Sequence, residues 1–226
     1  MHLPIHALPE DPRTQRLRDR RRVGRAALAS VAAAFVLLVV FTLQGSFDVG
    51  AWTVTPGDWA GMWRGLLGAP LLHGSVDHLL SNTLGLLALG TLAGTVYPRA
   101  TLRTIPLAWL GSGLVAWWLG EPGSHHLGAS GVLQGLAWLV VSLGVLRRDR
   151  ASIAAMLIAM TFSGGLLVAV LPHDPTVSWQ SHLGGAIAGV IGAFAFRGLD
   201  PMAPRQRYSW EFEGEDDDAT DQQSSR

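Results

Sequence analysis

Six apolar runs, at roughly 26–43, 79–96, 104–119, 129–146, 151–171 and 181–196, dominate this chain and decide what it can fold into. Each is close to, or a little under, the roughly 17–25 residues needed to cross the hydrocarbon core of a bilayer. Inside lipid, only helices and closed barrels satisfy every backbone polar group. The alternating in–out pattern of a barrel strand is absent, which leaves helices. The expectation is an all-α, polytopic membrane protein, a bundle of six transmembrane helices. Composition agrees, with 49% hydrophobic and only 15% charged residues.

The basic residues orient the bundle. All 17 are arginines: seven precede the first run, two lie between the second and third, three between the fourth and fifth, and four follow the sixth. Only Arg64 falls on the other side, so the positive-inside rule puts both termini in the cytoplasm. Trp52, Trp59, Trp63, Trp117, Trp118 and Trp179 then gather near the outer interface, where indole rings prefer to sit. Residues 44–77, between the first and second runs, are too many for a simple inter-helix turn and read as a long interfacial loop with short helical pieces. Residues 1–25 form a basic cytoplasmic tail, 26–200 the membrane domain and 201–226 an acidic cytoplasmic tail. A bacterial plasma membrane is the expected location, and no cleavable signal peptide is expected ahead of the first run. With no cysteine, disulfides, thiol nucleophiles and thiolate metal sites are excluded.

Given that orientation, the even-numbered runs begin at the outer face, and each begins with polar residues. The second opens with His78 and Asn82, the fourth with Ser130 after "HHLGAS", the sixth with His182 in "SHLGGAIAG". Polar side chains inside a membrane are costly and by default mark function. A serine beside a histidine is the pairing of nucleophilic catalysis, with His182 as the base that accepts the Ser130 proton. Gly128 and Gly131 flank the serine, allowing a tight turn and close approach of backbone to a substrate. His78 and Asn82, four residues apart, share one helix face and can both donate to a developing oxyanion. Gly131 with Gly135, and Gly185 with Gly189, are small-xxx-small pairs through which two helix backbones can approach closely.

These motifs resemble the rhomboid family of intramembrane serine proteases over roughly residues 26–197. "GASG" at 128–131 is similar to the family's nucleophile motif, "SHLGGAIAG" to its last span, "HGSVDHLLSN" to its second span, and Trp63–Arg64 to a motif of its first external loop. The resemblance implies a catalytic dyad of Ser130 and His182, oxyanion stabilisation by His78 and Asn82, and a structural role for His73. It implies cleavage of transmembrane protein substrates in or beside their spans within the lipid bilayer, with no cofactor. It also implies gating by a mobile fifth span and cap loop, at 162–167 and 172–180. In one place the chain departs from the pattern. Four residues after the nucleophile, where the family commonly has an aromatic residue, stands Gln134. Either its amide oxygen accepts a hydrogen bond from the His182 ring and orients it, or it is a helix–helix bond without a catalytic part.

Rival readings rest on thinner ground. Histidines and aspartates such as His125, His126, His173 and Asp174 could ligate a metal, but they lie in loops and the HExxH of zinc proteases is absent. A non-catalytic relative, binding membrane proteins or serving their quality control, is the alternative function; this chain keeps both serine and histidine. A transporter would need repeat halves or a charged pathway. The basic N-terminal run reads as a lipid-facing anchor and not as a nucleic-acid site.

Overall fold

The computed structural model describes residues 12–162, 168–172 and 177–200. Among them are eight α-helices, which we number α1 Pro12–Leu43, α2 Met62–Gly68, α3 Val76–Gly85, α4 Thr91–Val96, α5 Pro98–Leu119, α6 Ser130–Arg147, α7 Arg150–Phe162 and α8 Trp179–Phe196. Helix α3 runs into α4 through a π-helical turn, Leu86–Gly90, so that Val76–Val96 forms one continuous rod.

The apolar runs and these helices coincide closely, but they differ in how well each suits a bilayer. Arg13–Ser46, Val76–Val96 and Ser130–Arg147 are long and apolar enough to cross a membrane. Helices α5 and α8 are of similar length and more polar: α5 carries Arg99 and Arg103, and α8 opens with Trp179, Gln180, Ser181 and His182. Helix α7 covers the first part of the run at 151–171, whose residues 163–167 lie outside the described residues. The expected gating segments fall largely there and at 173–176, also outside them, as do His173 and Asp174 of the metal reading. The acidic tail from residue 201 lies outside them as well. Residues 12–25 of the basic tail are helical and continuous with the first span. Arginine, leucine and alanine are good helix formers, and extending an existing helix avoids the cost of nucleation.

Helix α6 is the central post. It is apolar on every side and buried along most of its length, the pattern of a helix surrounded by others. Helices α5 and α7 pack beside it and α8 lies across both α5 and α6. The core between α4, α6, α7 and α8 is built from small and branched residues, among them Ala93, Leu136, Leu139, Val140, Ala155 and Ala193. Large apolar side chains face outward instead: Leu28, Phe35, Leu84, Leu102, Phe162 and Phe194 are all exposed. That inversion suits lipid, which solvates apolar surface without penalty.

The α6–α8 contact is a backbone-to-backbone seam. A methyl group on Gly185 would overlap the Gly131 carbonyl oxygen, and one on Gly189 would overlap the Gly135 carbonyl oxygen. On the opposite face of α8, Gly184 meets the Gly111 carbonyl of α5 in the same way. At the other end of the bundle Asp200 caps α5: its carboxylate accepts from the Arg99 N–H at 3.1 Å and the Ala100 N–H at 3.0 Å. This uses two of the donors that every helix N-terminus leaves orphaned.

Residues 44–77 fold as short helical pieces: 3-10 turns at Gln44–Ser46, Gly50–Trp52 and Ala69–Leu71, and helix α2. Helix α2 packs on α5 through Leu66, and the Trp109 indole N–H donates to the Leu66 carbonyl at 3.1 Å.

Because the seam has no room, Gly185→Val should lower the thermal unfolding midpoint in detergent sharply, by the equivalent of about 3 kcal/mol or more. Gly198→Ala, where nothing lies within 4 Å, should leave the midpoint essentially unchanged. Equal midpoints for both variants would refute the close packing of α6 on α8.

Candidate functional site

A cavity of about 950 Å³ opens where α3, α6 and α8 begin, and Ser130, His182, His78 and Asn82 all line it. Three polar clusters separated widely in the chain therefore share one space. Ser75, Ser81, Glu121 and Ser124 contribute to the same wall, which mixes polar groups with apolar surface.

Ser130 is the first residue of α6. It follows Gly128, whose φ of +113° is a conformation that side chains rarely adopt. The position demands glycine on a second ground, since a Cβ there would sit 2.5 Å from His78 Cε1 and 2.6 Å from Nε2. The chain thus passes directly over the His78 ring just before delivering Ser130 to a helix N-terminus, where unpaired N–H groups and the helix dipole favour negative charge.

His78 and Asn82 come from α3, which begins at an N-cap: the Ser75 hydroxyl accepts from the His78 N–H at 3.1 Å. Asn82 is buried and its amide donates to His73 Nε2 at 2.9 Å. His73 is in turn clamped by Gln44, which donates to the His73 carbonyl at 2.8 Å and accepts from its N–H at 2.9 Å. The His73 and His78 rings meet edge to face, with centroids 5.0 Å apart. So the structural role implied for His73 has a concrete form: it fixes the Asn82 amide. Burial, with the neighbouring His78 acting in the same direction, pushes the His73 pKa down to about 4. The ring stays neutral, and Nε2 keeps the lone pair that Asn82 needs.

His182 lies in the first turn of α8, its N–H bonded to the Ser178 carbonyl at 3.1 Å. Its ring Nδ1 lies 3.0 Å from the Ala169 carbonyl oxygen. Since a carbonyl only accepts, that contact puts the proton on Nδ1 and makes Nε2 the basic nitrogen. Gln134 is fully buried on α6, but its Cβ is level with Gly185, one turn deeper than His182. The Nδ1 edge of the ring faces the chain that follows α7.

Gly131, Gly185 and Gly189 stand where the spacing argument placed them, in the seam below the cavity. Trp63 and Arg64 are not brought to the cavity; both are exposed on α2. Sequence reasoning missed the cavity's support: Gln44, Ala169, and the group formed by Ser124, His126 and Ser178. The paired histidines ahead of "GASG" were the available signal for the last of these. Among the described residues, no three His, Asp or Glu side chains converge as a metal would require.

A family model described as the Rhomboid domain matches residues 60–198, the span that contains every residue lining this cavity. The chain belongs to the rhomboid family. It is also 35% identical over 198 residues to the uncharacterised proteins Rv1337 of Mycobacterium tuberculosis and Mb1372 of Mycobacterium bovis, covering 82% of this chain and 81% of each relative. The uncharacterised Mycobacterium leprae protein ML1171 is 35% identical over 142 residues, covering 59% of this chain and 55% of that protein. Membership of the family, with its apolar helices, makes this rhomboid an integral membrane protein.

A neutral His73 has a measurable consequence. Between pH 6.5 and about 4 the unfolded chain binds a proton at this histidine that the native protein refuses. Its effect on stability is therefore nil above pH 6.5, grows unfavourable as pH falls through that window, and levels off below about 4. Thermal unfolding in detergent should show that decline, and His73→Gln, which keeps an acceptor for Asn82 but does not titrate, should flatten this part of it. An unchanged pH profile in the variant would show that His73 is not the group responsible.

Proposed function

We propose that this rhomboid is an intramembrane serine protease that hydrolyses peptide bonds in or next to transmembrane segments of other membrane proteins. The observation that carries the reading is the single cavity lined by Ser130, His182, His78 and Asn82. In this reaction Ser130 Oγ attacks the substrate carbonyl and its proton passes to His182 Nε2. Negative charge on the tetrahedral oxygen is met by N–H groups at the start of α6, by His78, and by the second N–H of the Asn82 amide. Collapse expels the leaving amine with the proton from His182, and a water repeats the sequence to release the acyl group from Ser130. The partners are transmembrane substrates and the bilayer, and no cofactor enters the reaction.

The reading sets the protein in the membrane with six spans, α5, α7 and α8 joining the three more apolar rods, and with both termini in the cytoplasm. The arginine distribution supports that orientation. The cavity then faces the outer side, where water enters, and residues 44–77 lie in the outer leaflet. A bacterial plasma membrane suits the mycobacterial relatives.

The test needs no known substrate. A fluorescent fluorophosphonate should label purified wild-type protein, and neither Ser130→Ala nor His182→Ala should label. Wild-type silence from folded protein, with an active rhomboid labelling in parallel, would overturn the protease and leave a binding role. Once a cleavable substrate is in hand, Asn82→Ala should slow turnover by about 10²–10³-fold, the loss expected for one oxyanion donor. A smaller change, below threefold, would remove Asn82 from that role.

A further inference from the structure

The glycine seam sets how close α6 and α8 lie, but van der Waals contact between smooth backbones leaves axial sliding weakly resisted. A polar bracket sits above it. His126, four residues before Ser130, is buried, and its Nδ1 lies 2.6 Å from Ser178 Oγ. Ser178 is the N-cap of α8: its side chain accepts from the Ser181 N–H at 3.3 Å and donates to Ser181 Oγ at 2.9 Å.

The histidine itself has little freedom. Its backbone pairs with Val54 in both directions, N–H to carbonyl at 2.9 and 3.0 Å. Its Nε2 lies 2.9 Å from Ser124 Oγ, and a Cβ added to Gly120 would come within 2.5 Å of that nitrogen. Next to it, His125 Nδ1 lies 2.8 Å from Thr53 Oγ, tying the same stretch to the 44–77 segment a second time. One residue thus joins, through its backbone and its ring, the chain that delivers Ser130, the segment between α1 and α3, and the cap of the helix that carries His182.

We infer that His126 is a positioning residue, whose Nδ1 bond to Ser178 fixes the axial register of His182 against Ser130. The inference rests on the protease reading above, since register matters only if those two side chains react together. A misplacement of about 1 Å can cost on the order of 10²-fold in rate, so a link this short at the mouth of the site has leverage.

The position of the bonding nitrogen supplies the test. An asparagine amide occupies roughly the place of histidine Nδ1, and a glutamine amide roughly that of Nε2. We would measure the fluorophosphonate inactivation rate and its concentration dependence for full-length wild type, His126→Asn, His126→Gln and His126→Ala in detergent. Thermal unfolding of each variant, run alongside, checks that it is folded. His126→Asn should inactivate within about threefold of wild type, while His126→Gln falls at least tenfold in limiting rate with half-saturating concentration unchanged. His126→Ala should match His126→Gln where it folds, and the Asn and Gln pair decides the matter where it does not. Equal rates for folded Asn and Gln variants, whether both high or both low, would overturn the role of the Ser178 bond. A folded wild type that does not react would instead sink the protease reading, and this inference with it.

Discussion

Everything above the middle of this bundle depends on one contact, the carbonyl oxygens of Gly131 and Gly135 on α6 lying against the α-carbons of Gly185 and Gly189 on α8. In lipid there is no hydrophobic drive to bring two helices together, so close packing and polar bonds must supply the attraction. A side chain on either helix at these levels would hold the backbones apart by the width of a methyl group or more. The helix starts, and with them Ser130 and His182, would part by a similar amount. Small residues also let α8 serve two neighbours, since Gly184 meets α5 on its other face. The core interleaves alanines with leucines and Tyr97, and many other bulky apolar residues face outward.

Above the seam the stabilising forces change in kind. The cavity wall carries serines, histidines and a glutamate, groups that are unfavourable in hydrocarbon unless bonded or wet. Much of this polarity is held by groups that are not themselves proposed to react. Gln44 clamps His73, His73 holds Asn82, Ser75 starts α3, and Ser178 starts α8. A site with this support keeps its donors aimed before a substrate arrives, and preorganised donors are where electrostatic stabilisation of a transition state is greatest.

Helices and the residues that line the cavity were legible because membrane sequences advertise both. Apolar runs mark the rods, and a histidine or asparagine inside one is conspicuous. Glycines at i and i+4 beside Ser130 and His182 foretold the seam. The supporting bonds were not legible, for a physical reason: most run from a side chain to a distant backbone or loop position. His73 to Asn82 spans 9 residues, Gln44 to His73 spans 29 and His126 to Ser178 spans 52, and no local periodicity encodes such pairs. Gln134, at i+4 from Ser130, stands on the same face of α6 one turn along, with its Cβ beside Gly185.

What orients His182 also bears on why the proposed dyad needs no acid. A carboxylate beside the imidazole would fix its tautomer and stabilise the imidazolium, but an ion taken out of water costs several kcal/mol unless fully bonded. A backbone carbonyl such as that of Ala169 fixes the same tautomer with a neutral dipole. It gives less to the imidazolium in return. Ser130 must then be deprotonated with less help from the base, so more of the transition-state stabilisation falls on the oxyanion side. That side is well furnished: a helix N-terminus, His78, and an Asn82 amide held by a neutral histidine. The distribution of support in the cavity, with two bonded residues behind the proposed oxyanion position and one carbonyl behind the proposed base, fits such a division of labour.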